Sequence, residues 1–259
     1  MTGPHRPPFP VGWFAVADAE EVPDRELVPL AAFGQDLAVG RTPAGGAAVV
    51  HATCPHLGAD LAVGGRIDDD QVVCPLHGWC FSHSGDCTSA GRGPVPDAVK
   101  LRVWPAAVVD GIVWAFHGRS GEQPGGLPPG SGGSSVRATI EVSGHPEDVL
   151  AGLLVDLGAA RGGTGEDGVW QGDGPSRPRV LGPGTLVAAG GGWFHVTPVD
   201  GFKVAVRTSG VAAPEPRSES DRTVLSGFRD WYRRFDRPSV PARRPVRSGP
   251  SGRRRRERA

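Results

Sequence analysis

The chain has 259 residues, 38 % of them hydrophobic, which is enough to bury one large core or two smaller ones. Its 40 glycines and 26 prolines favour short strands joined by turns and argue against a helical bundle. No run of about 18 apolar residues occurs, and the N-terminal stretch lacks a signal-peptide pattern. We therefore expect no membrane span and a cytoplasmic location.

From Val11 to about Gly118, short apolar runs alternate with turns. The runs VGWFAVA, LVPLAAF, DLAVGRT, AAVVHAT, QVVCP and LRVWPAAVVDGIVWAF have the length of strands and are rich in Val, Phe and Trp. The last of them contains Asp110 and Gly111 between two apolar stretches, which predicts a β-hairpin. We predict a β domain over residues 9–118.

Residues 119–135 are rich in Gly, Pro and Ser, cannot bury a core, and are predicted to form a flexible linker. After a strand at VRATIEV, the sequence GHPEDVLAGLLVDLG predicts a helix. Pro146 would lie in its first turn, with Glu147 and Asp148 near the positive end of its dipole. The apolar residues expected on one face of this helix are Val149, Leu150, Leu153, Leu154 and Leu157.

The glycines of ARGGTGEDG are expected to end that helix. Strands are then predicted at TLVAA, GWFHVTPVD and KVAVRTS, and DRTVLSGFRDWYRRF predicts a final amphipathic helix that ends before Pro238. The apolar residues aligned on this last helix are Val224, Leu225, Phe228, Trp231, Tyr232 and Phe235. We predict a second, α+β domain over residues 136–238 and a mostly β protein as a whole.

The chain has 28 basic and 28 acidic residues, but they are distributed unevenly along the sequence. Residues 239–259 hold eight arginines and one glutamate, which leaves 20 basic against 27 acidic residues elsewhere. We predict that this tail is disordered and solvated, with docking to an acidic redox partner as the alternative. Nucleic-acid binding is not expected, because the tail has no aromatic residue to stack on bases.

Two short stretches each bring one Cys and one His together: CPHLG holds Cys54 and His56, and CPLHG holds Cys74 and His77. Four cysteines are too few for a disulfide framework, and closely spaced Cys and His in a reducing compartment favour a metal site. Two thiolates with two imidazoles suit either a structural zinc or a Rieske iron-sulfur centre. Each pair lies in its own Pro/Gly turn rather than on a helix, which favours the iron-sulfur centre.

The stretches VGWFAVA, FGQDLAVGRT, CPHLGADL and CPLHGWCF resemble the N-terminal domain of Rieske non-haem iron oxygenases, in the ketosteroid hydroxylase and cholesterol desaturase branch. The resemblance implies a Rieske 2Fe-2S cluster, with Cys54 and Cys74 on the inner iron and His56 and His77 on the outer iron. It also implies a reduced helix-grip (START-like) fold for the second domain. The remaining cysteines, Cys80 and Cys87, are expected to be ordinary buried residues.

In that family, the second domain binds a mononuclear Fe(II) through a pattern resembling Asp-x2-His-x4-His. In this sequence Asp156 takes the place of the Asp, but Ala159 and Thr164 stand at the two His positions. Beyond the linker the only histidines are His145 and His195, and the interval before the last helix, where the family has its carboxylate ligand, is short. We therefore expect no mononuclear iron in the second domain.

The leading hypothesis is a Rieske electron-transfer or accessory subunit related to oxygenases. A ferredoxin or flavin reductase would supply electrons. In the family, electrons pass from the Rieske cluster of one subunit to the iron of the next, with a bridging Asp between them. If Asp156 keeps that place, this chain would pair with a complete oxygenase subunit. Two alternatives stay open: an active monooxygenase or desaturase on a sterol-like substrate with unrecognised iron ligands, and an interaction protein with a structural metal.

Overall fold

A computed structural model of the chain describes residues 9–96, 98–119, 122–130, 132–133, 136–159, 161–173, 177–189, 191–209 and 222–236, without the side chains at 137, 222–227 and 236. The predicted tail, the position of Pro238 and the interval 210–221 lie outside these residues. Neither helix in the described part is long and apolar enough to cross a bilayer.

The N-terminal domain consists of three small antiparallel sheets. Its strands are β1 (Gly12–Asp18), β2 (Val28–Ala32), β3 (Gln35–Arg41), β4 (Ala47–His51), β5 (Arg66–Asp68), β6 (Gln71–Val73), β7 (Cys80–Phe81), β8 (Cys87–Ser89), β9 (Val103–Trp104), β10 (Ala106–Val109) and β11 (Ile112–His117). They pair in the orders β1-β11-β10, β2-β3-β4-β9 and β5-β6-β7-β8. The predicted mostly β fold of this region is confirmed.

The hairpin predicted at Asp110 and Gly111 joins β10 to β11. Val109 and Ile112 are partners in the ladder, so the loop has two residues, and both take positive φ angles, 53° and 75°. A two-residue loop with both φ angles positive matches the right-handed twist of the flanking strands. The side chains of β11 are almost wholly buried, including Trp114, which is fully inaccessible.

The second domain is built on one seven-stranded antiparallel sheet. The elements that follow β11 are β12 (Val136–Ser143), α1 (Pro146–Asp156), β13 (Gly162–Thr164), β14 (Trp170–Gly172), β15 (Arg179–Gly182), β16 (Thr185–Ala188), β17 (Gly192–Pro198), β18 (Lys203–Ser209) and α2 (Arg222–Asp236). The sheet order is β12-β18-β17-β16-β15-β14-β13. Side chains of both helices share one core with apolar side chains of the sheet, and the predicted α+β character of this domain is confirmed, while the helix-grip type stays a prediction.

Both predicted helices are present, and the side chains of Val224 and Leu225 from the predicted face of α2 lie outside the described residues. Leu150, Leu153 and Leu154 of α1 share a core with Phe228 and Tyr232 of α2 and with apolar side chains of the sheet. The imidazole Nδ1 of His145 accepts a hydrogen bond of 3.2 Å from the Glu147 N–H and so caps the start of α1. Strands β13, β14 and β15 were not predicted, because their segments are short and interrupted by glycines.

The described residues of the predicted linker form no helix or strand, and part of the segment packs on the domains. The indole N–H of Trp13 donates a hydrogen bond of 2.9 Å to the carbonyl oxygen of Gly126, and Pro128 is buried. The domain boundaries and the flexibility of the linker stay predictions.

Candidate metal centre

The two predicted ligand loops have the same backbone geometry. In the first loop, the Cys54 N–H donates to the Ala59 carbonyl (2.8 Å) and the Gly58 N–H donates to the Cys54 carbonyl (3.0 Å). In the second, the Cys74 N–H donates to the Trp79 carbonyl (2.8 Å) and the Gly78 N–H donates to the Cys74 carbonyl (3.1 Å). Each loop is therefore a closed turn that begins at a cysteine.

Each turn needs its glycine at the point where the backbone reverses. Gly58 and Gly78 have φ angles of 75° and 68°, in the left-handed region that side chains with a Cβ adopt at a cost. The motif CPHLG therefore places Cys54 and His56 on one compact turn, and CPLHG does the same for Cys74 and His77. The second loop connects β6 to β7, so the sheet β5-β6-β7-β8 holds it in place.

The cysteines form the buried side of the site. Cys54 and Cys74 are 1 % and 2 % exposed. Burial, and then the neighbouring Cys74 thiol, raise the pKa of Cys54 from 9.0 to about 11, although the backbone N–H of His56 acts in the opposite direction. Two thiolates in such a pocket need a compensating positive charge, which iron supplies, so these donors fit a metal cluster.

The histidines form the outer side. Their rings are 5.0 Å apart between centroids, at 71° to each other. His56 is half-buried, and its Nδ1 atom is inaccessible and has no hydrogen-bond partner. A buried nitrogen without a partner is costly, and coordination of a metal would satisfy it. His77 is exposed.

The four donors are divided into a cysteine pair and a histidine pair. In the described ranges, no three His, Cys, Asp or Glu side chains surround a position for one ion. A Rieske cluster takes two Cys on one iron and two His on the other. It therefore needs two separate pairs of ligands rather than four ligands around a single ion. The residues present fit this group.

A comparison with protein families agrees with this geometry. Residues 12–105 match the family described as the Rieske [2Fe-2S] domain. This part of the chain is a Rieske domain. The match contains all four predicted ligand residues, Cys54, His56, Cys74 and His77, whose individual roles remain predictions.

The alignments with proteins of similar sequence reach little further than the Rieske domain. Cholesterol 7-desaturase nvd of Bombyx mori is 42 % identical over 119 residues, which is 46 % of this chain and 26 % of that protein. The corresponding enzyme of Xenopus laevis is 38 % identical over 126 residues, 48 % of this chain and 28 % of that protein. The chain therefore matches about a quarter of the length of these curated relatives.

Solved structures resemble both domains in fold. Dicamba monooxygenase bound to dicamba superposes with a TM-score of 0.63 at 21 % identity, covering 77 % of this chain and 75 % of that chain. The oxygenase in the ferredoxin complex of carbazole 1,9a-dioxygenase gives a TM-score of 0.55 at 16 % identity, covering 86 % and 80 %. The Rieske domain and the seven-stranded second domain thus follow the architecture of Rieske oxygenases.

A groove of about 450 Å³ lies beside the two histidines of the Rieske domain. It is lined by His56, His77, Trp79, Ala90, Gly91, Arg92, Gly93 and Pro94. Sequence reasoning did not anticipate the contributions of Trp79 and Arg92. The position of Trp79 directly after the HG of the second motif was the only available signal, whereas Arg92 comes from the loop after β8 and had none.

In the second domain, the residues at the family's iron positions lie in different environments. Asp156 is the last residue of α1, Ala159 is 3 % exposed in the hydrophobic core, and Thr164 lies exposed on β13. His145 caps α1, and His195 is fully buried on β17. The ring of His195 makes an edge contact with Trp114 of the Rieske domain, 5.1 Å between centroids.

Cys80 and Cys87 are half-buried on the neighbouring strands β7 and β8. The Cys80 thiol donates a hydrogen bond of 3.5 Å to the Gly78 carbonyl, and the Cys87 thiol donates one of the same length to the Ser89 carbonyl. Both cysteines are therefore less buried than expected, and their structural role stays a prediction.

Proposed function

We propose that the chain is a Rieske [2Fe-2S] electron-transfer or accessory subunit related to Rieske non-haem iron oxygenases. The observation that carries this proposal is the two-sided donor set, with the thiols of Cys54 and Cys74 buried and the imidazoles of His56 and His77 toward the surface. The cysteines would hold one iron and the histidines the other. When bound, the cluster supplies one-electron oxidation and reduction.

The cysteine and histidine ligands differ in exposure, and this difference indicates where electrons would enter and leave the cluster. The cysteine side lies among core residues such as Leu61 and Phe81, which keep water and partners away. His77 is exposed and borders the groove. Electrons would therefore enter and leave at the histidine side, where a partner can approach closely.

The second domain supports a role without its own mononuclear iron. Ala159 has no donor atom and is part of the core, and the hydroxyl of the exposed Thr164 is a poor substitute for imidazole. In this proposal the domain serves in docking or assembly. Asp156, at the end of α1, would lie on the electron path between the Rieske cluster and the iron of a neighbouring, complete oxygenase subunit.

The electron donor in this proposal is a ferredoxin or a flavin reductase in the cytoplasm. One structure with a similar fold is an oxygenase in complex with its ferredoxin, which supports a donor of this class.

A second candidate is a monooxygenase or desaturase that acts on a hydrophobic, sterol-like substrate. The 42 % identity to a cholesterol 7-desaturase favours it. This candidate requires a mononuclear iron in addition to the cluster, bound by residues that the family pattern does not identify.

Metal and sulfide counts on the purified, full-length chain separate the candidates. About two irons and two acid-labile sulfides per chain, absent from the Cys54→Ser variant, are expected for the electron-transfer subunit. About three irons for two sulfides would contradict it and support the oxygenase. Zinc without sulfide in a colourless protein would contradict both and support a structural metal.

A further inference from the structure

The two histidines of the Rieske domain have different surroundings. The ring of His56 lies parallel to the indole of Trp79, with 4.0 Å between centroids and 11° between planes. His77 is exposed, and its ring meets that of His56 edge to face rather than in a stack. One histidine is therefore covered on a ring face by an aromatic side chain, while the other faces solvent.

Trp79 belongs to one ligand loop and contacts the other. Its backbone carbonyl accepts the Cys74 N–H and closes the second loop, while its side chain stacks on His56 of the first loop. The indole is 8 % exposed and packs in the core that also contains Cys54, Cys74 and Phe81. The indole is therefore fixed by the core on which it packs, and Trp79 links the two ligand loops.

We propose that Trp79 is a positioning residue for His56: it fixes the orientation of the imidazole ring and excludes water from that ring face. This inference rests on the proposed function, because it assumes that His56 binds the cluster. The parallel stacking restricts rotation of the ring about its terminal torsion, which is otherwise a broad, soft angle. The Nδ1 atom, which is buried and has no hydrogen-bond partner, would thereby be held in one position for coordination.

Loss of the indole has two physical consequences. His56 gains rotational freedom, which weakens its hold on the metal, and water reaches the ring, which raises the local polarity. The cluster with two thiolates and two neutral imidazoles gains a negative charge on reduction, so a more polar surrounding stabilises the reduced form. Removing Trp79 should therefore raise the reduction potential.

The experiment compares Trp79→Leu, Trp79→Phe and Trp104→Leu in the full chain after reconstitution with iron and sulfide. Trp104 is the matched control, since it is also buried (5 % exposed) but packs in the other core of the domain. The readouts are the rate of iron loss to a chelator, the reduction potential, and the electron paramagnetic resonance spectrum of the reduced protein.

Trp79→Leu should lose iron about 10-fold faster than the unaltered chain, with a raised potential and a changed spectrum. Trp79→Phe retains an aromatic face and should restore all three values, and Trp104→Leu should leave the potential and the spectrum unchanged.

Three results would overturn the proposal: a Trp79→Leu protein with unchanged iron loss, potential and spectrum; a Trp79→Phe protein as impaired as Trp79→Leu; or equal shifts in Trp104→Leu. If Trp79→Leu does not retain iron at all while the other two variants do, the positioning role is supported. Failure of the unaltered chain to bind a cluster would instead contradict the proposed function.

Discussion

The guanidinium group of Arg207 donates a hydrogen bond of 2.6 Å to the carbonyl oxygen of Val16, across the contact between the second domain and the Rieske domain. A second hydrogen bond, of 3.0 Å, reaches the carbonyl oxygen of Ala15. Strand β1 has a register shift between Ala15 and Ala17 in its ladder with β11, which is typical of a β-bulge. The bulge disrupts the ladder locally, and one arginine of β18 binds the carbonyl oxygens there.

Replacing Arg207 with Met should lower the free energy of unfolding by about 1–3 kcal/mol, because hydrogen bonds from a charged group to two carbonyls are lost. Burial of the guanidinium, which lowers the pKa of Arg207 to about 10, offsets part of their value. Urea denaturation followed by tryptophan fluorescence measures the change. Arg66→Met, at an exposed position, is the control and should stay within about 0.5 kcal/mol. Equal stability of the two variants would rule out an energetic role for the contact.

His195 should make the protein less stable in acid. Burial, and then the charge of Arg207, lower the pKa of His195 from 6.5 to about 3, so the ring stays neutral in the folded protein. Below pH 6.5 the unfolded chain binds a proton that the folded chain does not bind. The free energy of unfolding should therefore fall by up to about 1.4 kcal/mol for each pH unit between 6.5 and 3 from this residue alone.

The pH dependence of urea denaturation from pH 7 to 4.5 tests the effect of His195. The His195→Gln variant lacks the titrating group and should lose stability less steeply, whereas the exposed control His83→Gln should follow the unaltered chain. Parallel curves for His195→Gln and the unaltered chain would show that His195 is not responsible.

Replacing His77 with Cys should lower the reduction potential of the cluster. A thiolate carries a negative charge where imidazole is neutral, and it stabilises the oxidised irons, so a decrease of roughly 100 mV or more is expected. Protein-film voltammetry measures the potential, after the cluster content has been quantified. His83→Cys, outside the ligand set, is the control. A fully loaded His77→Cys protein with an unchanged potential would exclude His77 as a ligand.

Two glycines with similar backbone angles should differ in their tolerance of alanine. Gly85 and Gly78 have φ angles of 83° and 68°. A Cβ at Gly78 would meet no atom within 4 Å, whereas a Cβ at Gly85 would overlap the carbonyl oxygen of Leu101. Gly78→Ala should cost about 1 kcal/mol from the backbone alone, and Gly85→Ala about 3 kcal/mol or more because the Leu101 segment must shift. Thermal unfolding of both variants measures the difference, and the opposite order would contradict this account.

The elements that were predicted correctly have local causes. The hairpin at Asp110 and Gly111 follows from two positive φ angles, and α1 follows from Pro146, its acidic first turn and its apolar face. Strands β13 to β15 escaped prediction because their pairing along the sheet, rather than their own composition, makes them strands. Trp170 of β14, for example, is 1 % exposed in a core to which both helices and the sheet contribute, with Phe228 of α2 in edge contact at 5.4 Å.

The metal centre likewise has features with local causes and features that depend on contacts between distant segments. The sequence by itself predicted the donor set, because Cys54, His56, Cys74 and His77 lie within two short turns whose glycines allow the reversal. Only the tertiary structure decided that Trp79 of one loop covers His56 of the other, and that Arg207 binds the bulge of β1 from about 190 residues away. Spacing along a chain specifies local turns, whereas contacts between distant segments depend on how sheets and cores pack, and no short pattern encodes that packing.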